Sequence, residues 1–181
     1  MIKSVCIFCG SSSGKREIYT QQASALGALL AQKQIKLIYG GASIGIMNSV
    51  AQAHQLAGGE VVGIMPQAII DLEVANFDLT KFITTQDMHE RKKLMHQMSD
   101  AFIALPGGMG TLDELCETIT WAQLEYHHKP IFILNSDGYF DHFLAHIKQM
   151  NEQGFYSSDH LDLFTVVESV VELEELLDAT L

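Results

Sequence analysis

The sequence predicts an α/β fold in which an open, Rossmann-like parallel sheet carries helices on both faces, within a single domain over residues 1–181. Two observations support this class. Short apolar segments alternate along the chain with longer segments of helical periodicity, which is the order of β-α units. Segments 102–105 and 131–134 are also continuously apolar, as is typical of strands buried on both faces of a parallel sheet.

Each element follows from its local pattern. Short apolar runs predict the strands, which cover 4–8, 35–39, 61–65, 101–105, 131–134, 164–167 and, more weakly, 82–84. Apolar residues spaced three and four apart predict the helices, which cover 18–34, about 46–56, 88–98, 111–124, 139–150 and 170–177.

Three of these strands end in loops rich in glycine or serine, at 9–14, 40–45 and 106–111. In a parallel sheet these loops lie at the carboxyl edge, where open α/β folds bind ligands. One such loop carries little weight, because tight turns need glycine anyway, but three on one edge predict a phosphate or nucleotide site. The candidate binding residues are Gly10, Ser11, Gly40, Gly41, Gly107, Gly108, Met109, Gly110 and Thr111.

The better-known nucleotide motifs are missing from these loops. The first loop is not G-x-G-x-x-G, and the second strand ends in Tyr39-Gly40 without the acid that binds ribose. The phosphate loop G-x-x-x-x-G-K-[ST] does not occur either. Hydride transfer and ATP hydrolysis are therefore disfavoured.

Arg91 is unusual within the predicted helix 88–98. It shares one helical stripe with Met88, Met95 and Met98, which is the face that should pack inward. Its stem can pack on the core while its head reaches water. Alternatively, its guanidinium lies at the sheet edge, where it binds phosphate or polarises a substrate.

Glu114 also has two interpretations. Thr111-x-x-Glu114 matches the capping box. In that motif the glutamate side chain accepts a hydrogen bond from the backbone N–H of the N-cap residue, which would be Thr111. A carboxylate beside a phosphate-binding loop can instead serve chemistry on a nucleotide or sugar phosphate. The two roles are compatible.

Charge and composition exclude several classes of function. The 181 residues carry a formal net charge of −11, which disfavours nucleic acid and anionic membranes as partners. Neither a signal peptide nor an apolar run of transmembrane length is found. Three cysteines are too few for a disulfide scaffold, so we expect a cytoplasmic protein. Cys6 and Cys9 should point to opposite faces of a strand, and Cys116 is expected in the core.

Neither a metal nor another cofactor is expected. His142 and His146 are one helical turn apart but lack an evident third ligand. His127-His128-Lys129 resembles the lysine context of pyridoxal phosphate enzymes only faintly, because Pro130 and a buried strand follow at once.

Two motifs connect the sequence with a known family. Residues 87–92 contain M-x-E-R-K, and residues 101–111 followed by Glu114 contain P-G-G-x-G-T-x-x-E. Together they closely resemble the LOG ("Lonely Guy") family of cytokinin-activating phosphoribohydrolases, which are often misnamed lysine decarboxylases. The resemblance extends from Cys9-Gly10 to Asn135-x-x-Gly138-Tyr139 and so covers most of the chain.

The resemblance implies hydrolysis of the N-glycosidic bond of AMP or an N6-substituted AMP to free base and ribose 5-phosphate, by a cofactor-free homodimer. It implies that Arg91 and Glu114 are the catalytic pair and that Gly108 to Thr111 hold the 5′-phosphate. Lys92 and Thr120 would help to bind the nucleotide, and Glu73 would contact the sugar. The alternative is a sensor or carrier that holds a nucleotide without turnover.

Some positions depart from the family pattern. Glu125 stands where glycine is usual, and Ala42 and Asn48 replace common glycines of the second loop. None of these belongs to the expected catalytic pair, so they bear on substrate preference more than on activity.

Overall fold

One open sheet organises the chain over residues 2–70 and 75–180, which the structure, a computed structural model, describes. Its seven strands are all parallel, in the order β4-β3-β2-β1-β5-β6-β7. They are β1 (Ser4–Phe8), β2 (Lys36–Tyr39), β3 (Val61–Pro66), β4 (Lys81–Thr85), β5 (Ala101–Ala104), β6 (Ile131–Leu134) and β7 (Thr165–Val167). The predicted fold class is confirmed.

The α-helices connect these strands. They are α1 (Glu17–Gln32), α2 (Gly45–Leu56), α3 (Gln67–Ile70), α4 (Met88–Met98), α5 (Met109–Gln123), α6 (Asp141–Glu152) and α7 (Val170–Thr180). The short α3 and two 3₁₀ turns, Ser136–Gly138 and Ser158–Leu163, were not predicted. The predicted end of α1 at residue 34 is wrong, because Gln34 adopts a left-handed backbone with φ 58°. The predicted start of α6 at residue 139 is also wrong, because the 3₁₀ turn precedes it.

Helices cover both faces of the sheet, and two apolar clusters fill the space beneath them. On one face, Leu26 and Leu30 of α1 and Val50 of α2 pack on the sheet. On the other face, Met95 of α4 and Leu115 of α5 do so. Burial of these side chains provides the main driving force for folding.

The cysteines show how strand geometry separates neighbours. Cys6 belongs to one of the two apolar clusters and Cys9 to the other, so the expectation of opposite faces is confirmed. Both are buried free thiols. Cys116 is exposed on α5, so the expectation that it lies in the core is wrong.

The helix pair α1–α2 depends on a close backbone approach at Gly27. A Cβ atom at Gly27 would lie 2.3 Å from the carbonyl oxygen of Val50, so only glycine fits. No helix within the described parts of the chain is long and apolar enough to cross a membrane.

The carboxyl edge of the sheet has a switch point between β1 and β5. From β1 the chain moves outward to β2 and later returns to β5 on the opposite side. The two strands stay joined beyond their ends, since Leu105 N–H donates to Phe8 O over 2.9 Å and Gly10 N–H donates to Pro106 O over 3.1 Å. Such switch points are where open α/β sheets bind ligands.

Candidate active site

A cavity of about 340 Å³ opens at this switch point. It combines the loop after β1 with the starts of α4 and α5. Its lining residues are Cys9, Gly10, Ser11, Met47, Ile69, Met88, Arg91, Gly108, Met109, Gly110, Thr111 and Glu114. The structure therefore brings the two predicted catalytic residues and most of the predicted phosphate loop into one cavity.

Arg91 is presented by the well-capped helix α4. Asp87 caps it by accepting from Glu90 N–H over 2.8 Å, and Glu90 in turn accepts from Gln86 N–H over 2.7 Å. The Arg91 side chain points inward and is only 8% exposed. Its Nε donates to Ile64 O over 3.0 Å. The snorkelling interpretation is thus wrong, because the guanidinium is itself buried at the floor of the cavity.

Glu114 lies directly beside this cation. Its Oε1 is 3.6 Å from Nη1 of Arg91, and the residue is 6% exposed. Burial raises the pKa of Glu114 to about 7, because desolvation outweighs the opposing effect of Arg91. Near neutral pH, Glu114 can therefore exist both as carboxylate and as carboxylic acid, which suits a group that transfers protons.

Three further charges act on Glu114 from outside the cavity. The carboxylates of Asp113 and Glu117 raise its pKa, and Lys92 lowers it. Lys92 Nζ lies 3.2 Å from Asp113 Oδ2 and 3.0 Å from Glu117 Oε1. Lys92 therefore neutralises the two acids that would otherwise suppress ionisation of Glu114.

The helix α5 begins earlier than the sequence pattern predicts. Met109 is its first residue and Gly108 its N-cap, so Glu114 lies in the second turn. The predicted start at Thr111 and the capping box with Glu114 are therefore wrong. The first helical hydrogen bond runs from Leu112 N–H to Gly108 O over 3.2 Å. The preceding amides of the first turn are free to bind an anion, which the helix dipole also favours.

Thr111 strengthens this interpretation of the helix start. It is 3% exposed, and its Oγ1 is buried without a hydrogen-bond partner. Buried hydroxyl groups normally have partners, so an unpartnered one calls for an explanation such as a ligand or a catalytic role. Thr111 borders the cavity beside these amides.

Gly40 and Gly41 do not line this cavity. A Cβ atom at Gly40 would lie 2.2 Å from Nη2 of Arg91, so the missing side chain makes room for the guanidinium. Gly41 has φ 85° and packs against Phe82. In this structure Gly40 shapes the surroundings of Arg91, and phosphate binding by the two glycines stays a prediction.

Three other predicted residues are not brought to the cavity either. Thr120 is exposed on α5, and its hydroxyl donates to Cys116 O over 2.7 Å. Lys92 borders a separate cleft of about 570 Å³ between α4 and α5. Gly107 lines an adjoining cavity of about 280 Å³, which shares Gly10, Ser11 and Gly108 with the first. Glu73 lies outside the described residues.

Sequence reasoning missed the apolar wall of the cavity. Met47 and Ile69 join Met88 there, and such side chains suit the flat face of a base. Only Met88 had a signal, since it shares the inward stripe of α4. Within residues 2–70 and 75–180, His, Cys, Asp and Glu do not form a group of three that could hold a metal ion.

Comparisons with known proteins identify the relatives of this chain. A family model described as "Possible lysine decarboxylase" matches residues 47–177. The cytokinin riboside 5′-monophosphate phosphoribohydrolase LOG5 of Arabidopsis thaliana is 46% identical over 177 residues, which cover 98% of this chain and 78% of the relative. LOG3 of the same plant is 44% identical over 174 residues, which cover 96% and 81%.

Solved structures share the fold at lower identity. The molybdenum cofactor carrier protein of Chlamydomonas reinhardtii gives a TM-score of 0.74 at 18% identity, over 99% of this chain and 98% of that protein. The molybdenum cofactor binding protein of Rippkaea orientalis gives 0.73 at 22% identity, over the same shares. These two show the fold alone. The identity to the plant phosphoribohydrolases and the family model that matches residues 47–177 show that the chain belongs to the LOG family.

Proposed function

We propose that this protein hydrolyses the N-glycosidic bond of AMP or an N6-substituted AMP and releases the free base and ribose 5-phosphate. The observation that carries the proposal is the buried pair of Arg91 and Glu114, 3.6 Å apart beside the free amides of α5. A protein that only holds a nucleotide has no need to bury a carboxylate whose pKa is about 7.

In the proposed reaction, the 5′-phosphate rests on the amides at Met109 to Thr111 and the base lies against Met47 and Met88. The bond between C1′ and the base nitrogen breaks with oxocarbenium character on the ribose, which the Glu114 carboxylate stabilises. Glu114 takes a proton from water as the water oxygen bonds to C1′, and that proton then passes through solvent to the nitrogen of the departing base.

Arg91 has an electrostatic role in this scheme. Its Nε is engaged with Ile64 O and its Nη2 packs at Gly40, which leaves Nη1 beside Glu114. The cation lowers the pKa of Glu114 against the opposing effect of burial, so that a useful fraction of the base is ionised near pH 7. Arg91 therefore holds Glu114 in its working state.

A lysine decarboxylase reaction does not fit the same cavity. Pyridoxal phosphate enzymes bind their cofactor through a lysine amine. None of the described residues lining the cavity is a lysine, and Lys129 Nζ instead donates to His96 O over 2.6 Å. We propose a reaction that needs no cofactor.

We also propose that residues 1–181 act as one nucleotide-binding domain, as a homodimer in the cytoplasm. Large apolar side chains support a homodimer, since Met109, Leu124 and Tyr126 are 79%, 54% and 74% exposed on or next to α5. Light scattering at micromolar concentration tests it: a dimer gives twice the 20.0 kDa mass of the chain.

The catalytic proposal is tested by incubating the purified protein with AMP and with isopentenyl-AMP and separating the products by chromatography. We expect free base and ribose 5-phosphate in equal amounts. Glu114→Gln and Arg91→Ala should each lower kcat/KM about 10²- to 10⁴-fold, the range of acid–base and electrostatic contributions.

The matched control is Glu125→Gln, which removes a carboxylate just after α5 but outside the cavity. It should retain wild-type turnover. Tight AMP binding without release of base would instead support the carrier, and wild-type turnover in Glu114→Gln would refute the assigned role.

A further inference from the structure

Tyr139 approaches the phosphate loop from a distant part of the chain. It follows the 3₁₀ turn after β6, and its hydroxyl donates to the carbonyl oxygen of Gly107 over 2.5 Å. Gly107 lies 32 residues earlier, in the loop between β5 and α5. The proposed chemistry does not use this contact.

The backbone around Tyr139 is fixed on both sides. Asn135 Oδ1 accepts from Phe140 N–H over 2.7 Å, and Asn135 Nδ2 donates to Asp141 Oδ1 over 2.8 Å. Phe140 is 1% exposed and anchors the turn in the core. This accounts for the Asn135-x-x-Gly138-Tyr139 motif, since Asn135 shapes a turn that presents the tyrosine.

Tyr139 is 42% exposed, and its ring packs against two other aromatic rings. It meets Tyr19 and Phe140 edge to face, with ring centroids 5.6 and 5.1 Å apart. The hydroxyl is therefore already directed at Gly107, and the hydrogen bond needs little ordering of the side chain.

The acceptor of this bond belongs to a peptide that borders the phosphate site. In a trans peptide the C=O of Gly107 and the N–H of Gly108 lie in one plane and point in opposite directions. Because Tyr139 holds the carbonyl on its own side, the Gly108 N–H is turned away from Tyr139. Gly108 borders both the Tyr139 cavity and the Arg91–Glu114 cavity.

This peptide needs such a restraint because glycines flank it. A Cβ atom at Gly108 would have no heavy atom within 4 Å, so the surroundings do not restrain this residue. Glycine also reaches more backbone conformations than any other residue. Gly107 cannot be replaced, because a Cβ atom there would lie 2.1 Å from Thr111 Oγ1. The loop therefore combines a required glycine with a flexible one, and rotation of the peptide between them would remove an amide from the anion site.

We propose that Tyr139 is a positioning residue: its hydroxyl locks the Gly107–Gly108 peptide so that the Gly108 N–H serves the phosphate of the substrate. The inference rests on the proposed function for the identity of the anion, a 5′-phosphate. It assigns Tyr139 to binding of the phosphate, without a part in breaking the glycosidic bond.

The test is Tyr139→Phe, which keeps the ring contacts and removes the hydroxyl. Calorimetry with ribose 5-phosphate should show Kd raised about tenfold, as expected for one weakened hydrogen bond to a charged group. KM for AMP should rise by a similar factor with little change in kcat. The matched control is Tyr19→Phe, which removes the other hydroxyl of the same aromatic pair and should leave Kd unchanged.

Binding of ribose 5-phosphate separates this inference from the proposed function, because it needs no turnover. A tenfold loss in Tyr139→Phe supports the inference even if the wild-type protein does not hydrolyse AMP. Wild-type affinity in Tyr139→Phe overturns it, and so does an equal loss in Tyr19→Phe. Absence of any ribose 5-phosphate binding by the wild-type protein overturns it as well.

Discussion

Gly40→Ala tests whether this glycine serves Arg91. The added Cβ atom would lie 2.2 Å from Arg91 Nη2, whereas ordinary contacts begin at 3.4 Å. The guanidinium must therefore move by more than about 1 Å, or the backbone at Gly40 must yield. Either change disturbs the 3.0 Å bond from Arg91 Nε to Ile64 O and the position of Nη1 beside Glu114.

A displacement of this size has a predictable effect on catalysis. Misplacing a catalytic group by about 1 Å costs roughly 10²-fold in rate. We expect kcat/KM of Gly40→Ala for AMP to fall about 10²-fold, which corresponds to about 2.7 kcal/mol of lost transition-state stabilisation. Overpacking should also lower the free energy of unfolding, by about 1–3 kcal/mol.

The matched control is Gly27→Ala, which creates a similarly short contact, with a backbone oxygen, at a position that does not line the cavity. Its Cβ atom would lie 2.3 Å from Val50 O, between α1 and α2. Initial-rate assays, corrected for the folded fraction by urea unfolding, should give wild-type kcat/KM for this variant. The reasoning is refuted if Gly40→Ala keeps full activity per folded molecule, or if Gly27→Ala loses as much.

Three further predictions concern pH and stability. Because Glu114 with a pKa of about 7 must be ionised to act as base, kcat/KM for AMP should rise with pH through about 7 and then level off; a profile flat from pH 5.5 to 8.5 contradicts this. Burial, helped by His127 and Lys129, lowers the pKa of His96 to about 4, so its neutral form is favoured in the folded state. Neutral His96 therefore stabilises the folded state above pH 6.5. The free energy of unfolding should fall between pH 6.5 and 4, by as much as about 3 kcal/mol. Urea unfolding should show a smaller fall in His96→Gln. Glu125 adopts φ 60° just after α5, so Glu125→Gly should raise the free energy of unfolding by about 0.5–1 kcal/mol; a lower urea midpoint would count against this.

Much of the fold was predictable because local patterns and tertiary packing agree. The continuous apolar runs at 102–105 and 131–134 largely coincide with β5 and β6, two interior strands of the sheet whose residues are all buried. Glu125 is an exception at a single position. Its backbone is left-handed, a conformation that costs most residues other than glycine about 1 kcal/mol, which accounts for the expectation of glycine there.

The site was less predictable because long-range contacts decide it. Gly40 precedes Arg91 by 51 residues, so no local pattern reveals that one makes room for the other. Likewise, Lys92 is a neighbour of Arg91 in sequence, yet its ammonium turns to Asp113 and Glu117. Adjacent helical residues point in directions about 100° apart, so one lysine-arginine pair serves two different environments.

The helix start at Met109 explains how Thr111 and Glu114 become available to a ligand. A start at Thr111 would pair the two residues with each other's backbone amides, as a capping box does. With the earlier start both lie inside the helix, are buried, and border the cavity that Arg91 also lines. Their side chains then have no capping role, and burying them costs free energy that a single 3.6 Å ion pair does not fully recover. A substrate that supplies a phosphate and a developing positive charge provides partners for both.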